Sequence, residues 1–173
     1  MANFKEGLTK VKAFVFDIDG VLSLQTISLN VFGVPNRTVN LRDGYALQLA
    51  VKKGYLVGII SGSNAKEYLK RLKTLGVTEV YLSSRSKLEH YTSFRNKHNL
   101  DDSEIIFMGD DIPDLQVMKR VGIGVCPADA DSEIKQVASY ISDRKGGEGC
   151  VRDVIEQVLR LHNNWMDNDA FSW

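Results

Sequence analysis

Two aspartates stand two residues apart in Asp17-Ile18-Asp19-Gly20, directly after the apolar run VKAFVF at residues 11–16. In an extended segment that spacing sets both carboxylates on one side, and Gly20 lets the backbone turn away at once. A second acidic group, Gly109-Asp110-Asp111-Ile112-Pro113-Asp114, follows another apolar run, EIIFM. Carboxylates gathered so closely raise one another's pKa unless a cation neutralises them. Donors that are all oxygen, with no histidine or cysteine beside them, favour a hard cation. Mg²⁺ fits, because it takes one or two carboxylates, retains waters and leaves room for a phosphate. Ser61-Gly62, after the run LVGII, supplies a hydroxyl and a backbone amide, and Lys87 supplies an ammonium. These are donors for phosphate oxygens.

Taken singly, each group has a plain explanation. A DxD pair decorates loops and caps, Ser-Gly forms turns, a helical lysine is a solvated charge, and GDDxxD suits the first turn of a helix. Their order, each at or just after the end of a successive apolar run, makes them equipment for phosphoryl transfer.

The elements that must position these groups alternate along the chain. Residues 11–16, Leu56–Ile60, 79–82, 104–108 and Ile123–Cys126 read as strands. Helical patterns lie between or after them at 44–53, 86–98, 114–120, 132–138 and 151–162. A further helix is expected to start at Asn64, with Glu67 completing a capping box, and to run to Gly76 on a stripe of Tyr68, Leu69, Leu72 and Leu75. Residues 24–41 break the rhythm: LQTISLN and RTVNL bracket Gly33-Val34-Pro35-Asn36, the pattern of a protruding β-hairpin. Alternation of this kind predicts an α/β fold with a mostly parallel sheet covered on both faces. Ligands then bind beyond the carboxyl ends of the strands, at the switch point.

At 173 residues the chain reads as a single domain, 1–173, closed by a helix and tail over about 150–173. Its 43% apolar and 25% charged residues are those of an ordinary globular protein. With 22 basic against 22 acidic residues it is neither a polybasic nucleic-acid binder nor an acidic tail. No apolar run approaches the ~18–20 residues of a membrane span, and no secretory signal is expected at the start. Cys126 and Cys150 make neither a disulfide framework nor a metal cluster, which points to a reducing, cytoplasmic setting. Zero net charge removes colloidal protection, so a subunit partner is expected. The aromatics Trp165, Phe171 and Trp173 stand in a polar tail, either as scattered surface residues or as a docking element for a neighbouring subunit.

The motif set resembles that of the haloacid dehalogenase superfamily of phosphatases, with its Rossmannoid fold. FDIDGVL (16–22) is similar to the first motif, Ser61 to the second, Lys87 to the third and GDDIPD (109–114) to the fourth. The resemblance implies that Asp17 is the nucleophile, taking the phosphoryl group as an aspartyl-phosphate. It implies that Asp19 is the acid for the leaving group and then the base for water. Asp17, Asp110 and the Asp19 carbonyl would hold Mg²⁺, with Asp111 and Asp114 orienting the metal's waters and Lys87. Ser61, Gly62 and Lys87 would bind the phosphate.

Neither the stretch from Gly20 to Ser61 nor that from Ser61 to Lys87 has room for the cap domain of many superfamily members. A capless core with a hairpin resembles the 3-deoxy-D-manno-octulosonate 8-phosphate phosphatases, homotetramers of lipopolysaccharide precursor synthesis. Asn40-Leu41-Arg42-Asp43-Gly44-Tyr45 is similar to that family's NVRDGY segment, and residues 146–152 (GGEGCVR) to its GGxGAVR segment. The resemblance implies an acidic eight-carbon sugar phosphate as substrate. Asn40, Arg42, Asp43, Gly44 and Arg71 are then candidate contacts beyond the phosphate, and the glycine-rich turn is a candidate to reach a neighbour's site. Ser63 and Gln48 occupy positions where many members carry cations. Nine-carbon ulosonate 9-phosphates therefore stay open as substrates. Two readings of another class compete: a receiver-like phospho-aspartate domain, which would not need Asp19, and a non-catalytic scaffold, which would not need a complete set.

Overall fold

The computed structural model describes residues 4–172. A short helix α1 (Phe4–Gly7) leads to β1 (Ala13–Phe16). After a long excursion come α2 (Leu41–Lys52), β2 (Leu56–Ile60), α3 (Lys66–Thr74), β3 (Glu79–Tyr81) and α4 (Lys87–Lys97). The second half holds β4 (Ile105–Met108), α5 (Leu115–Arg120), β5 (Ile123–Cys126), α6 (Ser132–Val137), β6 (Tyr140–Ile141) and α7 (Cys150–Leu161).

All six strands pair in parallel in the order β3-β2-β1-β4-β5-β6. Chain order therefore reverses at β1, and the crevice beyond β1 and β4 is the switch point. Adjacent side chains alternate faces along a strand, and here both faces are buried. Phe14, Phe16, Ile106 and Met108 join α2, α3 and α7 in one core, whereas Ala13, Val15, Ile105 and Phe107 join α4, α5 and α6 in the other. That two-sided burial explains why the strands are unbroken apolar runs.

Three local expectations are corrected. Residues 24–41 do not form a hairpin ladder: the excursion doubles back with a single antiparallel bridge, Leu29 to Pro35. Its polar groups bond locally, with Asn30 Oδ1 accepting from Phe32 N and Val34 N. At α3 the Asn64–Glu67 capping box does not form; the helix starts from Ala65 without a side-chain cap, and Glu67 pairs with Arg37 instead. The sheet has one more strand than expected, the two-residue β6.

The tail docks on its own chain through Trp165. The indole is 4% exposed, stands edge-on to Tyr45 at 5.9 Å, and carries the Arg152 guanidinium 5.0 Å from its ring centre. Phe171 is exposed, and Trp173 lies outside the described residues. Both cysteines are buried free thiols. Among the described residues no helix is long and apolar enough to cross a membrane.

Candidate active site

The carboxyl ends of β1, β2 and β4 open into a crevice of about 280 Å³. Asp17, Asp19, Gly20, Ser61, Gly62, Ser63, Lys87, Asp110, Asp111 and Asp114 line it, together with Gln25 and Pro113. All four sequence motifs therefore meet at one place.

Asp17 continues the β1 ladder, its N–H donating to the Met108 carbonyl. Its Oδ1 accepts from Ile18 N at 2.6 Å and its Oδ2 from Lys87 Nζ at 2.6 Å. Lys87, in the first turn of α4, is placed there by its Ser86 N-cap, whose hydroxyl accepts from Glu89 N. The same ammonium donates to Asp114 Oδ1 at 2.7 Å. Lys87 thus bridges two carboxylates and is itself 6% exposed. Asp114 is fully buried, and its Oδ2 accepts from Asp110 N at 3.1 Å and Asp111 N at 3.4 Å. Asp111 caps the short 3₁₀ turn Ile112–Asp114 by accepting from Ile112 N at 2.8 Å. Gln25 Nε2 donates to Asp110 Oδ2 at 3.3 Å.

Burial dominates the electrostatics. It pushes Asp17 up to about 6, with Asp114's charge adding and Lys87 pulling back. Asp110 is pushed up to about 7 by burial and then by Asp114 and Asp17. Lys87 goes the other way from an isolated buried amine: burial alone would lower it, but Asp17 and Asp114 more than offset this and raise it. Oxygens of Asp17, Asp110 and Asp114 all lie within 4.8 Å of one another. Buried carboxylates at that spacing form an all-oxygen donor set whose mutual repulsion a hard divalent cation relieves. The residues present therefore fit Mg²⁺.

Two glycines make the close approach possible. Gly20 has φ +80°, and a Cβ there would lie 2.0 Å from Asp110 Oδ2. Gly146 abuts it from the other side: a Cβ would lie 1.9 Å from the Gly20 carbonyl oxygen. The glycine-rich turn 146–149 is thereby clasped to its own chain's first motif, with Gly147 N donating to Val21 O and Asn40 Nδ2 to Gly147 O. Asp129, unremarked in sequence, fixes the turn by accepting from Gly146 N at 2.9 Å.

The sugar-contact candidates are placed differently. Ser63 lies at the crevice with its hydroxyl 2.9 Å from that of Ser61. Asn40 is the N-cap of α2, accepting from Arg42 N and Asp43 N. Asp43 is 1% exposed and accepts from Arg152 N at 2.7 Å, tying α2 to α7; burial pushes it up to about 6. Gly44 lets Arg71 pack onto α2, since a Cβ would meet Arg71 Nη2 at 2.8 Å. Asp43 Oδ2 and Arg71 Nε, both buried and without a hydrogen-bond partner among the described residues, belong to residues lining a small cavity between α2 and α3. Gln48 is half-buried on α2. Arg42 lines a separate groove of about 590 Å³ beside α7 with Arg144, Arg152 and Arg160. The crevice lining of a single chain thus includes none of Asn40, Arg42, Asp43, Gly44, Gln48 and Arg71.

Gln25, on the crevice lining, and Arg37, which grips Asp19 from beside it, both escaped the sequence reading. Arg37, 6% exposed at its side chain, donates from Nε to Asp19 Oδ1 at 2.7 Å and from Nη2 to Asp19 Oδ2 at 3.0 Å. Its third nitrogen pairs with Glu67 of α3. A signal existed: Arg37 is the one charged residue of residues 24–41.

Known proteins are similar to this chain in sequence and fold. The haloacid dehalogenase-like hydrolase family model matches residues 76–154. The 3-deoxy-D-manno-octulosonate 8-phosphate phosphatase of Escherichia coli is 34% identical over 149 residues, 86% of this chain and 79% of that protein. The crystal structure of the same phosphatase from Yersinia pestis superposes with a TM-score of 0.90 at 30% identity, covering 94% of this chain and 88% of that one. That from Moraxella catarrhalis, in complex with magnesium, phosphate and KDO, gives 0.90 at 30% identity over 99% and 97% of the two chains.

Proposed function

The chain belongs to the 3-deoxy-D-manno-octulosonate 8-phosphate phosphatases among the haloacid dehalogenase-like hydrolases, and from that premise we propose that it hydrolyses this sugar phosphate to KDO and phosphate. The observation that carries the chemistry is the Lys87 ammonium set between Asp17 and Asp114 at the β1–β4 switch point. A lysine so placed holds the nucleophile in place and faces the charge that develops on the transferring phosphoryl group. A receiver-like domain has no use for Asp19 at this position, and a scaffold has no use for the complete buried cluster.

In this reading an Asp17 oxygen attacks phosphorus as the bond to the sugar oxygen breaks, and Asp19 gives that oxygen its proton. Water then attacks the aspartyl-phosphate, Asp19 takes the water's proton, and phosphate leaves with Asp17 restored. Ser61, the Gly62 amide and Lys87 hold the phosphoryl oxygens. Asp17, Asp110 and the Asp19 carbonyl would hold Mg²⁺, while Asp114 orients Lys87 and the backbone of Asp110 and Asp111. When bound, Mg²⁺ neutralises the carboxylates and the phosphate charge.

Phosphate release from eight- and nine-carbon ulosonate phosphates tests the assignment. The eight-carbon substrate should lead by at least about tenfold in kcat/KM, a difference of ~1.4 kcal/mol, and excess chelator should abolish turnover. Equal values for the two sugars, or activity indifferent to chelator, count against it.

The same reading makes the enzyme a cytoplasmic homotetramer. Leu29, Val31 and Phe32 at the tip of the excursion are 64%, 92% and 86% exposed, an apolar patch of the kind that a second copy covers. Arg42, which does not line the crevice of its own chain, then serves that of a neighbour. Val31→Asp with Phe32→Asp should convert the tetramer to smaller species in analytical ultracentrifugation. It should also lower kcat/KM at least about tenfold, since an open crevice excludes water poorly. A wild-type chain that sediments as a monomer refutes this.

A further inference from the structure

We propose that Arg37 is a positioning residue for catalysis: from the apolar excursion it holds Asp19 in one rotamer at the crevice, with Glu67 as the counter-ion that keeps it there. The inference rests on the reading of Asp19 as the group that exchanges protons with the leaving oxygen and with water.

Three observations carry it. The contact is a two-point fork, Nε to one Asp19 oxygen at 2.7 Å and Nη2 to the other at 3.0 Å. Such a fork fixes both torsions of a short carboxylate side chain, whereas a single contact leaves one free. Among the described residues the Asp19 carboxylate accepts from no other side chain. It is also more exposed than the two carboxylates that pair with Lys87, at 38% against 9% for Asp17 and 0% for Asp114. Arg37, by contrast, is itself anchored. The next residue, Thr38, donates from N to Ser23 Oγ and accepts at Oγ1 from Leu24 N, while Tyr68 of α3 donates to its carbonyl. An ordinary surface ion pair joins two mobile side chains and is worth little. Here one partner is 6% exposed and braced from two sides, the geometry of a support.

Kinetics on the purified enzyme with its sugar phosphate and magnesium decide the matter. Arg37→Ala should lower kcat about 10- to 100-fold with KM changed less than about threefold, the pattern of lost orientation. Arg37→Lys, which keeps charge and stem but not the fork, should fall between wild type and Arg37→Ala. In an Asp19→Asn background, Arg37→Ala should cost nothing further, because the group it positions is already gone. A raised KM with kcat intact would make Arg37 a substrate contact and overturn the proposal. So would a full additional loss in the Asp19→Asn background. Wild-type kcat in Asp19→Asn alone would instead remove the underlying reading of Asp19.

Discussion

Asp17→Asn should abolish phosphate release, lowering kcat by at least about 10³-fold, because a carboxamide cannot form the acyl phosphate on which turnover depends. The fold should survive. Asp17 is a buried carboxyl pushed up to about 6, so its charge is unfavourable in the folded chain at pH 7 to 8. An asparagine at this position keeps one oxygen for either Ile18 N or Lys87 Nζ, which Asp17 accepts from with its two separate oxygens, and turns an amide NH2 toward the other donor. Urea denaturation in excess chelator at pH 8 should find the variant close to wild type in stability, because relief of the buried charge offsets the one mismatched donor. Loss of activity without loss of stability separates a chemical role from a structural one. A kcat within tenfold of wild type would dismiss Asp17 as the nucleophile.

Lys87→Met should harm both activity and stability. It removes the one cation that pairs with Asp17 and Asp114 among the described residues while keeping most of the stem. Loss of a preorganised donor facing the phosphoryl group should lower kcat by about 10²–10³-fold. The two buried carboxylates left behind should cost about 3–5 kcal/mol at pH 8, the usual penalty for breaking a buried pair from one side. The sign of the pH dependence follows. In the folded variant both carboxyls are held above their unfolded values, so the folded state binds protons that the unfolded state releases. The deficit relative to wild type should therefore shrink as pH falls from 8 toward 5, measured by urea denaturation in chelator. A deficit that is flat or grows over that range would mean that lost packing, not unpaired charge, is responsible.

Much of the site is legible in the sequence because its parts are local. A strand buried on both faces must be an apolar run, so Phe14–Phe16 and Ile105–Met108 announce themselves, and the residues just past each run must lie at the sheet's carboxyl edge. Ser61 is found by the same rule, whereas Lys87 opens α4 a few residues past the half-buried β3 and is found by its place in the motif order. What is misread depends on partners distant in sequence. Glu67 has the spacing of a capping box but is taken by Arg37, thirty positions away on a different element. Residues 24–41 have the β-branched content of a hairpin, yet Thr38 bonds to Ser23 and Leu24 rather than across a ladder. Asp43 and Arg71 are expected as substrate contacts, yet neither lines the crevice of its own chain. Packing of α2 against α3 and α7 buries the first and half-buries the second.

The sequence by itself therefore determined the sheet, its alternation with helices, and the carboxylates, hydroxyl and ammonium that meet at its carboxyl edge. These follow from burial periodicity and from chemistry that tolerates few residue types. Only the tertiary structure decided which groups touch. It set one lysine between two particular carboxylates, turned Arg37 inward to grip Asp19, and left the helix-borne Arg42 outside its own crevice. Such pairings are chosen by the distances that the packed sheet and helices impose, and residue spacing along the chain does not encode them.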